Sequence, residues 1–224
     1  YNLNIFLILI LIIGSFLRIY NINFEDLWID EISTFWISNP NIDFETSYKN
    51  NSSLEVQPFF YNFLMKIYFS FLGYNVDYGR YVSAIFSTLS ILSVSYISWT
   101  ISKNKSYLLT AFLVSFNIFL ISYAQELRVY SILFFFISLT IIFILQSLKE
   151  ENFFNIFFLN FTFIFSIFLH PFSLILLFSI ILYLLLIFLV KKIFYKKIIY
   201  SIIGISVIAI IYNLVHLINL VPDS

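Results

Sequence analysis

Long uncharged runs alternate with short charged segments along the whole chain. Runs of about 20 residues predict membrane-spanning helices, and they are Tyr1–Leu17, Tyr81–Ser102, Ser106–Gln125, Val129–Leu148, Asn152–Val190 and Ile198–Pro222. The run from Asn152 to Val190 is too long for one span, and His170-Pro171 near its middle predicts a break into two. The pattern therefore predicts an all-α fold, a polytopic bundle of about seven transmembrane helices.

One long segment, residues 19–79, separates the first two predicted spans. Within it, the apolar stretch from Pro58 to Gly73 has the signals of a helix, because proline suits a first helical turn and glycine a C-terminal cap. A narrow polar stripe at four-residue spacing consists of Asn62, Lys66 and Ser70. Such a helix is typical of the membrane surface, so we expect a first outer loop that carries interfacial helices.

Composition supports this prediction and excludes several classes of protein. The chain is 61% hydrophobic and 11% charged, whereas soluble domains are about a quarter charged. We therefore expect an integral membrane protein in contact with membrane lipids. The formal net charge of zero gives no basic surface for nucleic acid. The absence of cysteine excludes disulfides, thiolate metal sites, cysteine nucleophiles and lipidated cysteines.

The lysine-rich loops all fall on one predicted side of the membrane. With the N-terminus inside, the inner loops hold Lys103, Lys105, Lys149, Lys191, Lys192, Lys196 and Lys197, as the positive-inside rule requires. The polar candidates then fall outside, in a multi-pass protein of the cell membrane in a prokaryote or of the endoplasmic reticulum in a eukaryote. We expect residues 1–224 to form one module, the N-terminal part of a longer protein, with 19–79 as its extracytoplasmic loop.

Asp30 and Glu31 are the first candidates for chemistry. Adjacent carboxylates beside a membrane span are suited to activating an acceptor or holding a cation at the bilayer surface. Trp28 and Trp36 flank the pair, and such aromatic residues anchor at the membrane interface. The alternative is a solvated acid pair, or a cap for a short helix over Ile32–Ser38.

Three arginines, Arg18, Arg80 and Arg128, each lie at the predicted outer end of a span. Arginine grips phosphate in a bidentate way, whereas lysine acts as a point charge. A shared site for a lipid phosphate is therefore one interpretation. The other is snorkelling, or a local ion pair such as Asp77–Arg80.

The segment Tyr123–Tyr130 is the next polar cluster. Spacing would place Gln125 with Arg128, and Glu126 with Tyr130, on shared helix faces. An ordinary outer turn with a self-paired Glu126 and Arg128 is the alternative. Charged groups held this close to a bundle face protein or a cavity, since exposure to lipid costs about 3 kcal/mol.

The two histidines give weaker signals. His170 precedes a proline and is interpreted as a structural residue, or as a metal or phosphate contact. A divalent metal held by Asp30, Glu55 and His170 is a further candidate, with no cofactor otherwise indicated. His216 lies within the last predicted span and is given no role.

The order of these motifs resembles a known family. A first span ends in Arg18, and Trp-x-Asp-Glu, Gln-Pro-Phe-Phe-Tyr, Gly-x₆-Arg and Tyr-Ala-Gln-Glu-x-Arg-x-Tyr follow, with the last ending at Tyr130. The sequence is similar to the N-terminal module of the polytopic glycosyltransferases of the C-type fold. These include the protein O-mannosyltransferases and the aminoarabinose transferases acting on lipid A. The resemblance covers essentially the whole chain.

The resemblance implies transfer of a sugar from a polyprenyl-phosphate donor to an acceptor (protein, lipid or glycan) outside the cytoplasm. It implies that Asp30 is catalytic with Glu31 beside it. It also implies that the three arginines contact the donor phosphate. Glu126 would match the acid of the fourth-span motif. The family often has His-Pro-Pro or Lys-Pro-Pro where this chain has Gln57-Pro58-Phe59, so a charged contact is missing at Gln57.

These residues fit a single displacement. Asp30 would accept the proton of the acceptor, which is typically worth about 10²–10⁴-fold in rate, and the sugar carbon would invert. The alternative from another class is a transporter or flippase of a lipid-linked substrate. That class predicts ionisable residues near the bilayer midplane and broken helices.

Overall fold

A computed structural model describes residues 5–220, with side-chain surroundings described for residues 5–215. The described chain is all-α, which confirms the predicted fold class, and contains eleven helices and no strands. The helices are α1 (Ile5–Ile19), α2 (Ile29–Ile37), α3 (Phe44–Leu54), α4 (Phe60–Leu72), α5 (Val76–Ser102), α6 (Ser106–Ser115), α7 (Ile118–Ala124), α8 (Tyr130–Ser147), α9 (Phe153–Leu169), α10 (Ser173–Lys191) and α11 (Lys196–Leu220).

Four of the described helices are long and apolar enough to cross a membrane: α5, α8, α10 and α11. The pair α6 and α7 is bent by 56° and adds a fifth if it counts as one span. Helices α1 and α9 are apolar but shorter, with 15 and 17 described residues. These lengths support a membrane protein, whereas the count of seven spans stays a prediction.

The bend between α6 and α7 differs from the single span predicted over Ser106–Gln125. Asn117 lies at the break in extended conformation, and its side-chain oxygen accepts a hydrogen bond from the Leu120 N–H at 3.1 Å. Asparagine is among the best N-cap residues because it satisfies an amide left free at the start of a helix. The cap starts α7 in a new direction, which a hydropathy pattern does not register.

Helix α8 packs between α5 and α9 at the centre of the described bundle. Beside its N-terminus, a buried apolar cluster joins α4, the turn 125–129 and α8 through side chains that include Tyr61, Phe69 and Leu127. Gly79 lets the start of α5 approach this turn, because a Cβ there would lie 2.3 Å from Leu127 Cδ1. This close approach brings the first turn of α5 beside the turn 125–129.

The loop 19–79 contains α2, α3 and α4, and Gly73, with φ of 101°, caps the C-terminus of α4. The polar stripe of α4 faces the rest of the loop more than it faces water. Asn62 is buried and donates to Asn51 Oδ1 at 2.7 Å. The Lys66 ammonium donates to the carbonyls of Asn39 and Ile42. Of the stripe, only Ser70 is exposed.

Candidate functional site

Helix α2 sends the two adjacent acids in different directions. Successive residues of an α-helix are about 100° apart around its axis. Glu31 is fully buried, whereas the side chain of Asp30 is 67% exposed. On the outside, Trp28, Ile32 and Trp36 are all exposed. The helix therefore buries a carboxylate and presents Asp30 beside an open apolar face.

Glu31 forms a bidentate ion pair with Arg80. Arg80 Nε donates to Oε1 at 3.0 Å and Nη2 donates to Oε2 at 2.8 Å. The same carboxylate accepts the Leu127 N–H at 2.7 Å and the Trp28 N–H at 3.3 Å. With four donors around it and no exposed surface, Glu31 joins α2, α5 and the turn before α8. This geometry favours anchoring over the catalytic role implied by the resemblance.

Arg80 is saturated in the same way. Besides its two bonds to Glu31, its Nη1 donates to the carbonyls of Ile22 and Glu25 at 2.9 and 3.0 Å. A guanidinium has five N–H donors, so this side chain has little left for a phosphate. The local Asp77–Arg80 ion pair considered from the sequence is absent from the described salt bridges.

Arg18 lies apart from the acids. Its Nη1 donates to the Ser115 carbonyl at 3.1 Å and its Nη2 to the Val114 carbonyl at 3.0 Å. Nε donates to Ser87 Oγ at 2.8 Å. These carbonyls end α6 at the bend, where the helix dipole is negative. Arg18 is completely buried, so its position favours holding the bend over contacting a donor phosphate.

Arg128 holds both Asp30 and Glu55. Its Nη1 donates to the Asp30 carbonyl at 2.9 Å, to Thr34 Oγ1 at 3.1 Å and to Glu55 Oε1 at 3.0 Å. Its Nη2 lies 3.7 Å from Asp30 Oδ2. Burial alone would lower the pKa of Arg128, but the Glu55 carboxylate and the Tyr130 phenol raise it.

A buried donor without a partner distinguishes Arg128 from the other two arginines. Its Nε is buried and has no hydrogen-bond partner among the described residues, although the side chain is only 8% exposed. Leaving a buried donor unpaired costs about 1–3 kcal/mol, and more for a charged group. Of the three arginines, Arg128 is therefore the best placed to accept a new anionic partner.

Glu55, Ser33 and Thr34 complete the contacts of Arg128. Glu55 is buried at the end of α3 and also accepts a hydrogen bond from the Ser33 hydroxyl. Neither Ser33 nor Thr34 is among the site residues predicted from the sequence. Their spacing is the signal that could have found them, since Ser33 and Thr34 lie three residues after Asp30 and Glu31 on one helix.

The turn 125–129 is not helical, so the predicted shared helix face of Gln125 and Arg128 is wrong. The Gln125 amide instead donates to the carbonyls of Leu17 and Tyr20 at the end of α1, at 3.2 and 2.9 Å. Glu126 is half-buried and forms no described salt bridge with Arg128. Burial, with the nearby charge of Glu31, raises the pKa of Glu126.

His170 lies in the third predicted outer turn, at the end of α9. Its ring centroid is 5.9 Å from that of Tyr130, and the Tyr130 centroid is 5.8 Å from Arg128 Cζ. Burial and the positive charge of Arg128 lower the pKa of His170 to about 4. The imidazole is therefore neutral at pH 7 and lies close to the Arg128 cluster.

The candidate metal set is not assembled. Within the part of the chain that the structure describes, no three His, Asp or Glu side chains are placed to hold a metal ion, so Asp30, Glu55 and His170 do not form the site considered from the sequence. Gln57 is buried, and neither atom of its amide has a described partner.

Tyr61, the last residue of the Gln-Pro-Phe-Phe-Tyr motif, is a buried neighbour of this cluster for which the sequence predicts no role. Its side chain is completely buried, and burial raises its pKa while the charge of Arg128 opposes the shift. Its position within an apolar stretch of α4 gave no sign of a polar role.

Two features of the cluster stand out: an exposed carboxylate beside an arginine with an unpaired donor, and a neighbouring ion pair that is closed. Comparison with protein-family models, with curated proteins and with solved structures finds no match for this chain.

Proposed function

We propose that the protein is an integral-membrane glycosyltransferase. It moves a sugar from a polyprenyl-phosphate donor to an extracytoplasmic acceptor, with Asp30 as the base. The observation that carries this proposal is the pairing of Asp30, 67% exposed, with Arg128 at 3.7 Å. A carboxylate open to an acceptor then lies beside a cation suited to a departing phosphate. The motif order that resembles C-type glycosyltransferases supports the same reaction.

The reaction balances with these two side chains. Asp30 accepts the proton of the acceptor hydroxyl. At the same time the oxygen of that hydroxyl attacks the anomeric carbon of the sugar. The bond from that carbon to the phosphate oxygen breaks, and polyprenyl phosphate leaves with the electron pair. Arg128 stabilises the charge that develops on the phosphate, a contribution typically worth about 10²–10³-fold in rate. A single displacement inverts the sugar carbon.

The proposed donor site is smaller than the one implied by the resemblance. Arg80 is committed to Glu31 and Arg18 to the carbonyls at the end of α6. Arg128 is therefore the phosphate-binding arginine in this proposal, and the other two set the positions of α5 and of the α6–α7 bend.

The proposed topology has seven spans, the N-terminus inside and the site outside. Contacts between loops support it. Asp30, Arg128 and His170 come from three predicted outer loops and lie in one neighbourhood. Two residues from predicted inner loops also meet, since Lys197 Nζ donates to the Glu151 carbonyl at 2.8 Å.

The exposed face of α2 agrees with a site at the membrane surface. Trp28 and Trp36 are exposed to 64% and 46%, and such side chains favour the headgroup region. A lipid-linked donor would meet Asp30 at that depth.

The bend between α6 and α7 favours a second candidate, a transporter or flippase. Transporters often bind substrates or ions where helices are broken, using freed backbone carbonyls. Here the Arg18 guanidinium already bonds the carbonyls of Val114 and Ser115. A fixed cation thus occupies the place that a coupling ion would take, which makes transport the weaker proposal.

Transfer of labelled sugar tests the enzyme proposal. Membranes containing the protein would be supplied with a panel of polyprenyl-phosphate sugars and acceptors. Asp30→Asn should lose at least about a hundredfold in rate, since a positioned base contributes about 10²–10⁴-fold. Asp26→Asn removes an exposed carboxylate from the same loop and should transfer as the wild type does.

Equal rates of transfer by the wild type and Asp30→Asn would show that Asp30 is not the base. If the protein transfers sugar from none of these donors, the next test is its affinity for polyprenyl phosphate. An affinity that is unchanged by Arg128→Gln would contradict the proposal. Movement of the lipid-linked sugar across a proteoliposome membrane without any acceptor would instead favour the transporter.

A further inference from the structure

A backbone amide two residues later in the chain orients the His170 ring. The Phe172 N–H donates to His170 Nδ1 at 3.1 Å, and the Ser173 hydroxyl donates to the His170 carbonyl at 2.9 Å. A ring nitrogen that accepts a hydrogen bond carries no proton, so in the neutral imidazole the proton is on Nε2.

The Nε2–H of His170 is an unused donor. No acceptor for it lies among the described residues, whose hydrogen bonds to this side chain involve Nδ1 alone. The ring packs against Tyr130 and Phe172, at centroid distances of 5.9 and 4.4 Å. The ring of His170 is therefore held between two aromatic side chains, and its Nε2–H has no hydrogen-bond acceptor among the described residues.

Arg128 offers a second unused donor near the same aromatic ring. Its Nε is buried without a described partner, and its Cζ lies 5.8 Å from the Tyr130 centroid. The side chain is more than nine-tenths buried, so solvent does not satisfy Nε. A phosphate suits both donors, because it has several acceptor oxygens and the charge that Arg128 favours.

We propose that His170 Nε2–H donates a hydrogen bond to the phosphate of the lipid-linked donor, next to Arg128. The proposal rests on the proposed function and adds a binding residue to its site. His170 acts here as a neutral donor, neither a base nor a metal ligand, because Nδ1 is already occupied by the Phe172 amide. The positive charge of Arg128 further disfavours the imidazolium, as the lowered pKa of His170 reflects.

Two substitutions test the contributions of the two ring nitrogens separately. His170→Asn keeps an acceptor near the position of Nδ1 for the Phe172 N–H and removes the Nε2 donor. His170→Gln places an amide N–H near the position of Nε2 and gives up the Nδ1 acceptor. The pair therefore distinguishes a ligand contact from a structural role in the turn.

The measurement is the affinity of the purified protein in lipid nanodiscs for geranylgeranyl phosphate, with geranylgeraniol as the phosphate-free control. His170→Asn should weaken binding of the phosphate about tenfold or more, as expected for a hydrogen bond to a charged group. His170→Gln should stay within about threefold of wild type. Binding of the alcohol should be unchanged in both variants. Inorganic phosphate should compete weakly, since the proposed ligand is a lipid.

The outcomes separate the two proposals. If Arg128→Gln weakens phosphate binding but His170→Asn does not, the site stands and the role of His170 is wrong. If both His170 variants weaken binding equally, the residue only shapes the turn. If the wild type binds the phosphate no better than the alcohol, the proposed function itself fails. If inorganic phosphate competes as well as the lipid does, the ligand is a free anion and both proposals are wrong.

Discussion

Two arginine–carboxylate pairs lie side by side in this protein and have opposite properties. Glu31 and Arg80 are both buried and joined by two short hydrogen bonds. Asp30 is largely exposed and lies 3.7 Å from Arg128, outside hydrogen-bonding distance. The acids are adjacent in sequence, so the difference comes from the helix between them. A rotation of one residue along α2 separates a buried ion pair from a pair whose carboxylate is exposed.

Removing the closed pair should have the largest effect. Glu31→Gln leaves the Arg80 charge buried without its partner, which typically costs about 3–5 kcal/mol. The free energy of unfolding, measured by SDS titration in mixed micelles, should fall by that amount. Salt should change the difference little, because a buried pair is poorly screened. A loss below about 1 kcal/mol would mean that this pair resembles an exposed one.

The same isosteric change at the open pair should have a much smaller effect on stability. Asp30→Asn removes a charge that is mostly solvated, and exposed ion pairs contribute about 0–1 kcal/mol. The same SDS titration would show a change within that range, while sugar transfer falls steeply. A stability loss as large as that of Glu31→Gln would contradict the distinction between the two pairs.

The third effect concerns the pH dependence of stability on the open side of the cluster, where His170 lies. The pKa of His170 is lowered from 6.5 to about 4 in the folded protein, so the unfolded chain takes up the proton first as the pH falls. Stability of the wild type should therefore decline from about pH 6.5 towards pH 4, since the unfolded state binds more protons there. His170→Asn should lack this decline.

The comparison of wild type with His170→Asn cancels the other titrating groups. Glu126 has a raised pKa, which favours the folded state at low pH and opposes the His170 effect, but it is present in both proteins. The difference in unfolding midpoint between them should be flat above pH 7. A difference that changes above pH 7 instead would show that His170 is not held neutral by the fold.

The sequence predicted an all-α chain with long apolar helices, because long apolar runs have few alternatives. The predicted span Val129–Leu148 became α8 over Tyr130–Ser147, and the predicted break at His170-Pro171 falls between α9 and α10. Hydropathy did not predict the bend at Asn117, because a polar cap changes direction without changing average apolarity. The contact of the buried Arg18 with this bend was not predicted for the same reason.

The sequence predicted most residues of the candidate site, but it did not distinguish the roles of these residues. From sequence, Arg18, Arg80 and Arg128 are equivalent, since each ends a span. Their partners depend on contacts between distant segments, such as Arg80 with Glu31 and Arg18 with the end of α6. Asp30 and Glu31 also appeared as one unit, and only the packing of α2 shows which of them is buried.

The contacts of Glu31 also bear on the order of biosynthesis. Its partner Arg80 follows 49 residues later in the chain and the Leu127 amide 96 residues later. At about 5–20 residues per second, a ribosome needs roughly 5–20 s to synthesise the 96 residues from Glu31 to Leu127. The Glu31 carboxylate therefore stays hydrated until the segment before α8 has emerged from the ribosome. A chaperone or the insertion machinery would meet this loop while Glu31 still lacks Arg80 and the Leu127 amide.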